Sequence, residues 1–447
     1  MRAIRNTVAI AVVAVLVALA GAIGSETPQA EGDHLKAPPS FEIDAGAHAV
    51  FVDFQTATYD LSFDRAESKA SVVTTIDFYQ PAAGHAVFDL VPETLTEVRL
   101  DDHPVDLRTV EDPDGVTRLR VVASPSEAGN HRLVIRSSFD DNVRTRDEGI
   151  VAGLWVNDWD DRGFLELYLP SNLEYDGYQM TFNVVVEGTA RRHQVYANGV
   201  ATEVGEDGQP TTRGDGLRWK VVYPDFYNAS HVLFQLAPAG YFEERSYEFA
   251  SDYRPFPVTI YGASVRDSTV EAVNAALTML EETLGPWPHD SLLVSMTGPR
   301  RSMEYAGATQ TTLGALEHEL AHSYVGRSVA PASGNASWFD EAVVTWLIDR
   351  GAPTRDRPPR GRNPIGNVSA YFRATHQSSY GQGAQLIGHL DHLFRQRDAS
   401  NTMLVCLREM VQQRKHQKLT TDEIQADIET CYGAPLTRFF DRYVYGR

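Results

Sequence analysis

His318-Glu319-Leu320-Ala321-His322 sets two histidines four residues apart, with a glutamate next to the first. On a helix that spacing stacks both imidazoles on one face, where they can share a metal ion. Glu319 then reaches the open side of that ion. A catalytic zinc site takes three protein ligands and keeps one position for water. The candidate third ligand is Glu341, nineteen positions after His322. Zinc lowers the pKa of a bound water toward neutrality. Glu319 is the expected general base toward that water. One Zn2+ ion is therefore the expected cofactor.

These residues need elements to aim them. Leu313, Leu316, Leu320 and Val325 give the first segment an apolar stripe, so the spacing predicts a packed helix. A second helix-like run, 338–349, carries Glu341 in its first turn, and Pro331, Gly334 and Asn335 mark the turn folding it back. Asp340 and Asp349 are candidates to orient the imidazoles, because a metal-bound histidine usually donates its other N–H to a carboxylate or carbonyl. Upstream, 257–261 and 291–296 read as strands around an amphipathic helix, 268–284, with Ser268 as its expected cap. Val270, Val273, Leu277, Met279 and Leu280 would form its buried side. Downstream, 384–394, 403–417 and 421–429 read as helices.

From 41 to about 244 the pattern changes to short alternating runs rich in Val, Phe, Tyr and Thr. Among them are 49–54, 71–78, 131–136, 164–169, 179–186 and 231–236. Period two with turn residues between the runs predicts antiparallel sheets, a β-sandwich or saddle. Its histidines are scattered singly and read as strand or loop residues rather than ligands.

The chain has 447 residues, 43% of them apolar and 22% charged, a globular composition with room for two or three domains. A net charge of −20 excludes a nucleic-acid partner, which needs a basic footprint. Arg2 and Arg5 precede an apolar run, 8–23, with a small-residue site at Ala20-Gly21-Ala22. That is the layout of an export signal, with an uncleaved membrane anchor as the alternative. The expected plan is a signal or anchor at 1–24, a linker at 25–40, a β-domain at 41–247 and a catalytic domain at 248–447. The expected location is periplasmic or extracellular, with membrane contact only through the leading segment. Cys406 and Cys431 are either one disulfide or two buried thiols.

H-E-L-A-H, then V-G-R, then W-F-D-E-A resembles the aminopeptidase N family of zinc peptidases. That family shows H-E-L-A-H-Q-W-F-G and, after the same gap, W-L-N-E-G-F-A. The resemblance implies a multidomain α+β fold: an amino-terminal β-saddle, then a thermolysin-like, mostly helical zinc peptidase domain. The expected plan is a short form, without the large carboxy-terminal helical domain of the family's longer members. Ser302-Met303-Glu304-Tyr305 stands where the family has G-x-M-E-N on an edge strand of the cleft. The resemblance therefore implies that Met303 and Glu304 bind substrate, with Glu304 taking the free α-amino group. Arg301 and Tyr305 depart from that pattern. Tyr380-Gly-Gln-Gly-Ala384 resembles Y-x-K-G-A, whose tyrosine donates to the oxyanion, and Tyr371 is its rival. The implied substrates are peptides with a free amino terminus. A zinc endopeptidase on the same scaffold, or a weakly catalytic peptide-binding protein that keeps the metal site, are the alternatives.

Overall fold

The structure, a computed structural model, describes residues 35–44, 46–91, 94–115, 118–156, 163–172, 174–211, 214–296, 302–359, 364–372 and 375–447. The expected signal or anchor, most of the linker and Arg301 lie outside the described residues. No helix among the described residues is long and apolar enough to cross a membrane.

The first half is built of strands. In Lys69–Gln80 and Gln179–Glu187 each buried residue is followed by a half-exposed or exposed one, as period two requires of a sheet with one face on a core. An eight-stranded sheet centres on Gln179–Glu187, Asp53–Asp64, Lys69–Gln80 and Gly129–Phe139. A five-stranded sheet starting at Phe41–Asp44 and a four-stranded sheet holding Phe234–Pro238 complete the β-rich region. Pairing is not antiparallel throughout. Gln179–Glu187 runs parallel to Asp53–Asp64, and Ala47–Phe51 parallel to His85–Phe88. Alternation fixes which face is buried but not strand direction, so the sequence pattern could not show this.

Two expected strands are also corrected. Within 164–169 the chain forms a 3-10 turn, Leu165–Leu167. Glu166 folds back there to accept the Phe164 N–H at 3.0 Å, which closes a turn. The strand expected at 231–236 starts only at Phe234, because His231 is engaged in a turn with Asn228.

The second half opens with a mixed five-stranded sheet in the order Glu243–Phe249, Phe256–Gly262, Leu292–Met296, Ala308–Gln310, Met303–Tyr305. Both faces of this sheet are covered. Val258, Ile260, Leu292 and Val294 pack into the helical core, while Tyr261, Leu293, Met303 and Tyr305 pack into the β-rich core. Glu304 lies between two residues that face the β-rich core, so it points to the helical side.

Helix α1, Asp267–Leu284, buries Val273, Leu277 and Leu280. Val270 and Met279 are only partly buried, and Ser268 lies inside the helix, whose N-cap is Arg266 without a side-chain cap. Helix α2 is Leu316–His322 and α3 is Trp338–Val344, extended by a π-helical turn, Thr345–Asp349. Leu313 precedes α2 and is 50% exposed, so the stripe narrows to Leu316, Leu320 and Val325. Helices α4 (Ser378–Arg397), α5 (Met403–Gln413) and α6 (Thr421–Tyr432) cover the outside. The expected start of α6 is present as a capping box between Thr420 and Glu423. Cys406 and Cys431 are joined, which ties α5 to α6.

Candidate metal centre

Helix α2 is amphipathic with Leu316 and Leu320 in the core, so His318 and His322 emerge together on the side facing α3. Their Nε2 atoms lie 3.2 Å apart. Glu341, in the first turn of α3, sets its Oε2 3.6 Å from each of them. These three atoms form a small, nearly equilateral triangle. A tetrahedral zinc ion with bonds of about 2.0–2.1 Å needs ligand atoms about 3.3–3.4 Å apart. His318, His322 and Glu341 therefore fit one Zn2+ ion. Glu341 Oε2 is also a buried atom with no hydrogen-bond partner among the described residues. Such an atom is costly unless a cation takes it.

Neighbouring groups hold the triangle in place. His318 Nδ1 lies 3.2 Å from Asp349 Oδ1, which leaves Nε2 for the ion. Asp349 was one of two expected partners. The other, Asp340, accepts the Glu341 N–H at 2.6 Å and packs beside His322. A side chain at Gly326 would lie 3.2 Å from His322 Nδ1 and 3.4 Å from Asp340 Oδ2. Gly326 also has φ +121°, so both space and backbone call for glycine there. Glu341 Oε1 accepts the Tyr380 hydroxyl at 2.7 Å.

Helix α4 brings Tyr380 in by crossing close to α3. A Cβ on Gly383 would stand 2.6 Å from Ala342 Cβ, so the helices touch where neither has bulk. Tyr371, the rival, is elsewhere. Its ring packs on Phe41 and Phe51, and its hydroxyl donates to the Pro39 carbonyl at 2.5 Å.

The electrostatics suit a cation. Burial pulls the His318 imidazole down, but Asp349, Glu341 and Glu319 outweigh it and raise the pKa to about 11. Burial likewise opposes His322, which Glu304 and Glu341 raise to about 9. For Glu341, burial pushes upward and the two imidazoles overcome it, holding the carboxyl far below its usual range. Asp340 goes the other way, pushed up to about 7 by burial and by the adjacent Glu341.

The sequence matches no protein-family model and no curated protein. Solved structures do resemble it. An M1 zinc metallopeptidase from Deinococcus radiodurans superimposes with a TM-score of 0.60 at 16% identity, over 89% of this chain and 95% of that one. Yeast LTA4 hydrolase gives 0.61 at 14% identity, over 88% of this chain and 68% of that one. Legionella pneumophila aminopeptidase A, in complex with aspartic acid, gives 0.62 at 12% identity, over 88% of this chain and 49% of that one. The fold is that of the M1 zinc metallopeptidases.

Within this M1 fold the remaining expected residues separate. Glu319 is buried on α2, with its charge felt at His318. Glu304 is 4% exposed and its charge reaches His322. Met303 packs into the β-rich core, facing away from the metal ligands, so its side chain is a core residue. Arg327, the last residue of the V-G-R motif, has no role that the sequence reveals. Its Nη2 lies 2.7 Å from Glu304 Oε1, and both side chains are almost wholly buried. The sequence does carry a signal: Arg327 is the lone charged residue between His322 and Asp340, five positions after a candidate metal ligand.

Proposed function

We propose that this chain is a zinc metallopeptidase, and specifically an aminopeptidase that removes residues from the free amino end of peptides. The observation that carries the reading is the triangle of His318, His322 and Glu341 with Glu319 on the same short helix. When bound, zinc supplies Lewis acidity toward a carbonyl oxygen and lowers the pKa of a water molecule. Glu319 takes the proton of that water and delivers it to the leaving nitrogen. Tyr380 donates to the carbonyl oxygen as negative charge grows there, exchanging its bond to Glu341. Glu304 pairs with the substrate's ammonium, a partner that an internal peptide nitrogen cannot imitate.

The relatives give context. A Deinococcus radiodurans M1 enzyme is known bound to a Tyr-Ser-Ala substrate, and a two-domain M1 zinc metallopeptidase bound to L-arginine. We extend peptide binding to this chain, along with a division at 247/248 into a β-saddle and a thermolysin-like catalytic domain. We also propose export to the periplasm or the cell exterior, with a membrane anchor as the alternative. The Cys406–Cys431 bond supports an oxidising compartment.

A second reading, a zinc endopeptidase, is favoured by one observation: Glu304 Oε1 already has a cationic partner. Hydrolysis of matched free and acetylated peptides separates the two. An aminopeptidase cuts the first bond of the free peptides alone, whereas internal cleavage of acetylated ones selects the endopeptidase. Glu319→Gln should keep its zinc and lose about 10²-fold or more in kcat. No hydrolysis by zinc-loaded parent protein would leave only a peptide-binding role.

A further inference from the structure

Arg327 is held at three places. Its N–H donates to the His322 carbonyl at 2.9 Å, so its backbone is tied to a metal ligand. Its carbonyl accepts from His231 Nε2 at 2.8 Å, a contact with the β-rich half. Its guanidinium reaches Glu304, with Nη2 on the carboxylate at 2.7 Å and Nε 3.4 Å from the main-chain oxygen. A further donor, Nη1, turns back to the Gly326 carbonyl at 3.2 Å. Arg327 itself is 1% exposed. One residue thus bridges the helix that carries the metal ligands and the strand that carries Glu304.

A buried ion pair is seldom needed for stability, since well-packed apolar residues serve as well or better. What a planar guanidinium adds is geometry, because its fork fixes the carboxylate that it holds. Here it occupies Oε1. Oε2 is the oxygen we assign to a substrate's ammonium. The bridge also fixes how far Glu304 stands from His322. In an enzyme that anchors an amino end and cuts at a metal, that distance sets which bond is cut.

We propose that Arg327 is a positioning residue that sets the separation between the amine anchor and the metal, and so confines cleavage to the first peptide bond. The proposal rests on Glu304 being the amine anchor.

The test compares the parent with Arg327→Met, Arg327→Lys and Glu304→Gln on one series of free and acetylated peptides, with zinc content measured for each. For Arg327→Met the expected result is full zinc and a KM for free peptides raised about tenfold or more. The preference for free over acetylated ends should fall by a similar factor, and dipeptides should appear among the products. Arg327→Lys should recover part of the preference, because an ammonium can reach the carboxylate but not hold the main-chain oxygen as well. A zinc-loaded Arg327→Met with parental KM, preference and products overturns the proposal. If that variant does not fold, Arg327→Lys decides, and parental behaviour there overturns it. Should Glu304→Gln keep the free-end preference, the anchor reading itself fails. Loss of preference in Glu304→Gln but not in Arg327→Met removes only the role given to Arg327.

Discussion

The Tyr380 hydroxyl donates to Oε1 of Glu341 at 2.7 Å, which leaves Oε2 turned toward the two imidazoles. One side chain thus orients the anionic ligand and, in the proposed mechanism, also donates to the carbonyl oxygen. Tyr380→Phe removes both. We expect kcat to fall about 10²-fold, as for loss of an oxyanion donor. Zinc affinity should weaken about tenfold, as for loss of a ligand's hydrogen-bond partner. Titration with a competing chelator checks the second effect separately from turnover.

Zinc uptake should release protons. In the metal-free protein the surrounding carboxylates overcome burial and raise the pKa of His318 to about 11 and of His322 to about 9, so the pair, whose Nε2 atoms lie 3.2 Å apart, carries at least one extra proton at pH 7. Zinc takes the neutral imidazoles, and its affinity should rise as pH rises toward those values. Calorimetry in buffers of different ionisation enthalpy counts the protons, with at least one expected at pH 7. The sign for stability is opposite. A histidine whose pKa is raised on folding stabilises fully below its unfolded value of about 6.5. That contribution is lost as pH climbs through the folded values. Tm of the metal-free protein should therefore fall above about pH 6.5, and zinc should remove the fall.

Gly383→Ala tests the helix crossing. The new methyl would sit 2.6 Å from Ala342 Cβ, so α4 must move away from α3. Overpacking of this kind costs about 1–3 kcal/mol. Tyr380 moves with the helix, and kcat should drop about tenfold or more. Denaturant melts and kinetics on one preparation read both effects.

The Cys406–Cys431 bond closes a loop across 25 positions. Replacing both residues with serine should cost about 3.5 kcal/mol by the loop-entropy account. Zinc content should be unchanged, since neither cysteine is near the ligands in sequence or among the candidate donors. Chemical denaturation of the parent and the double serine variant measures the loss.

The metal ligands were legible because their information is local: two histidines one turn apart and a glutamate opening the next helix. Tyr380 was legible as one of two candidates. Packing of Tyr371 on Phe41 and Phe51, far along the chain, separates them, and no local pattern carries that. Most strand positions followed from alternation, though not 164–169 or the start of 231–236, and the parallel partner of Gln179–Glu187 did not, since pairing is a property of two distant segments. The same holds for Glu304 and Arg327, 23 residues apart. Each reads as an ordinary charged side chain until the fold buries them against each other.

The sheet that carries Glu304 has Tyr261, Leu293, Met303 and Tyr305 on the face turned to the β-rich half. Severing the chain at 247/248 would wet those four side chains and leave the strand Met303–Tyr305 without a floor. The metal-bearing half is therefore not a portable module. Its anchorage depends on a half that supplies none of the three candidate ligands, His318, His322 and Glu341.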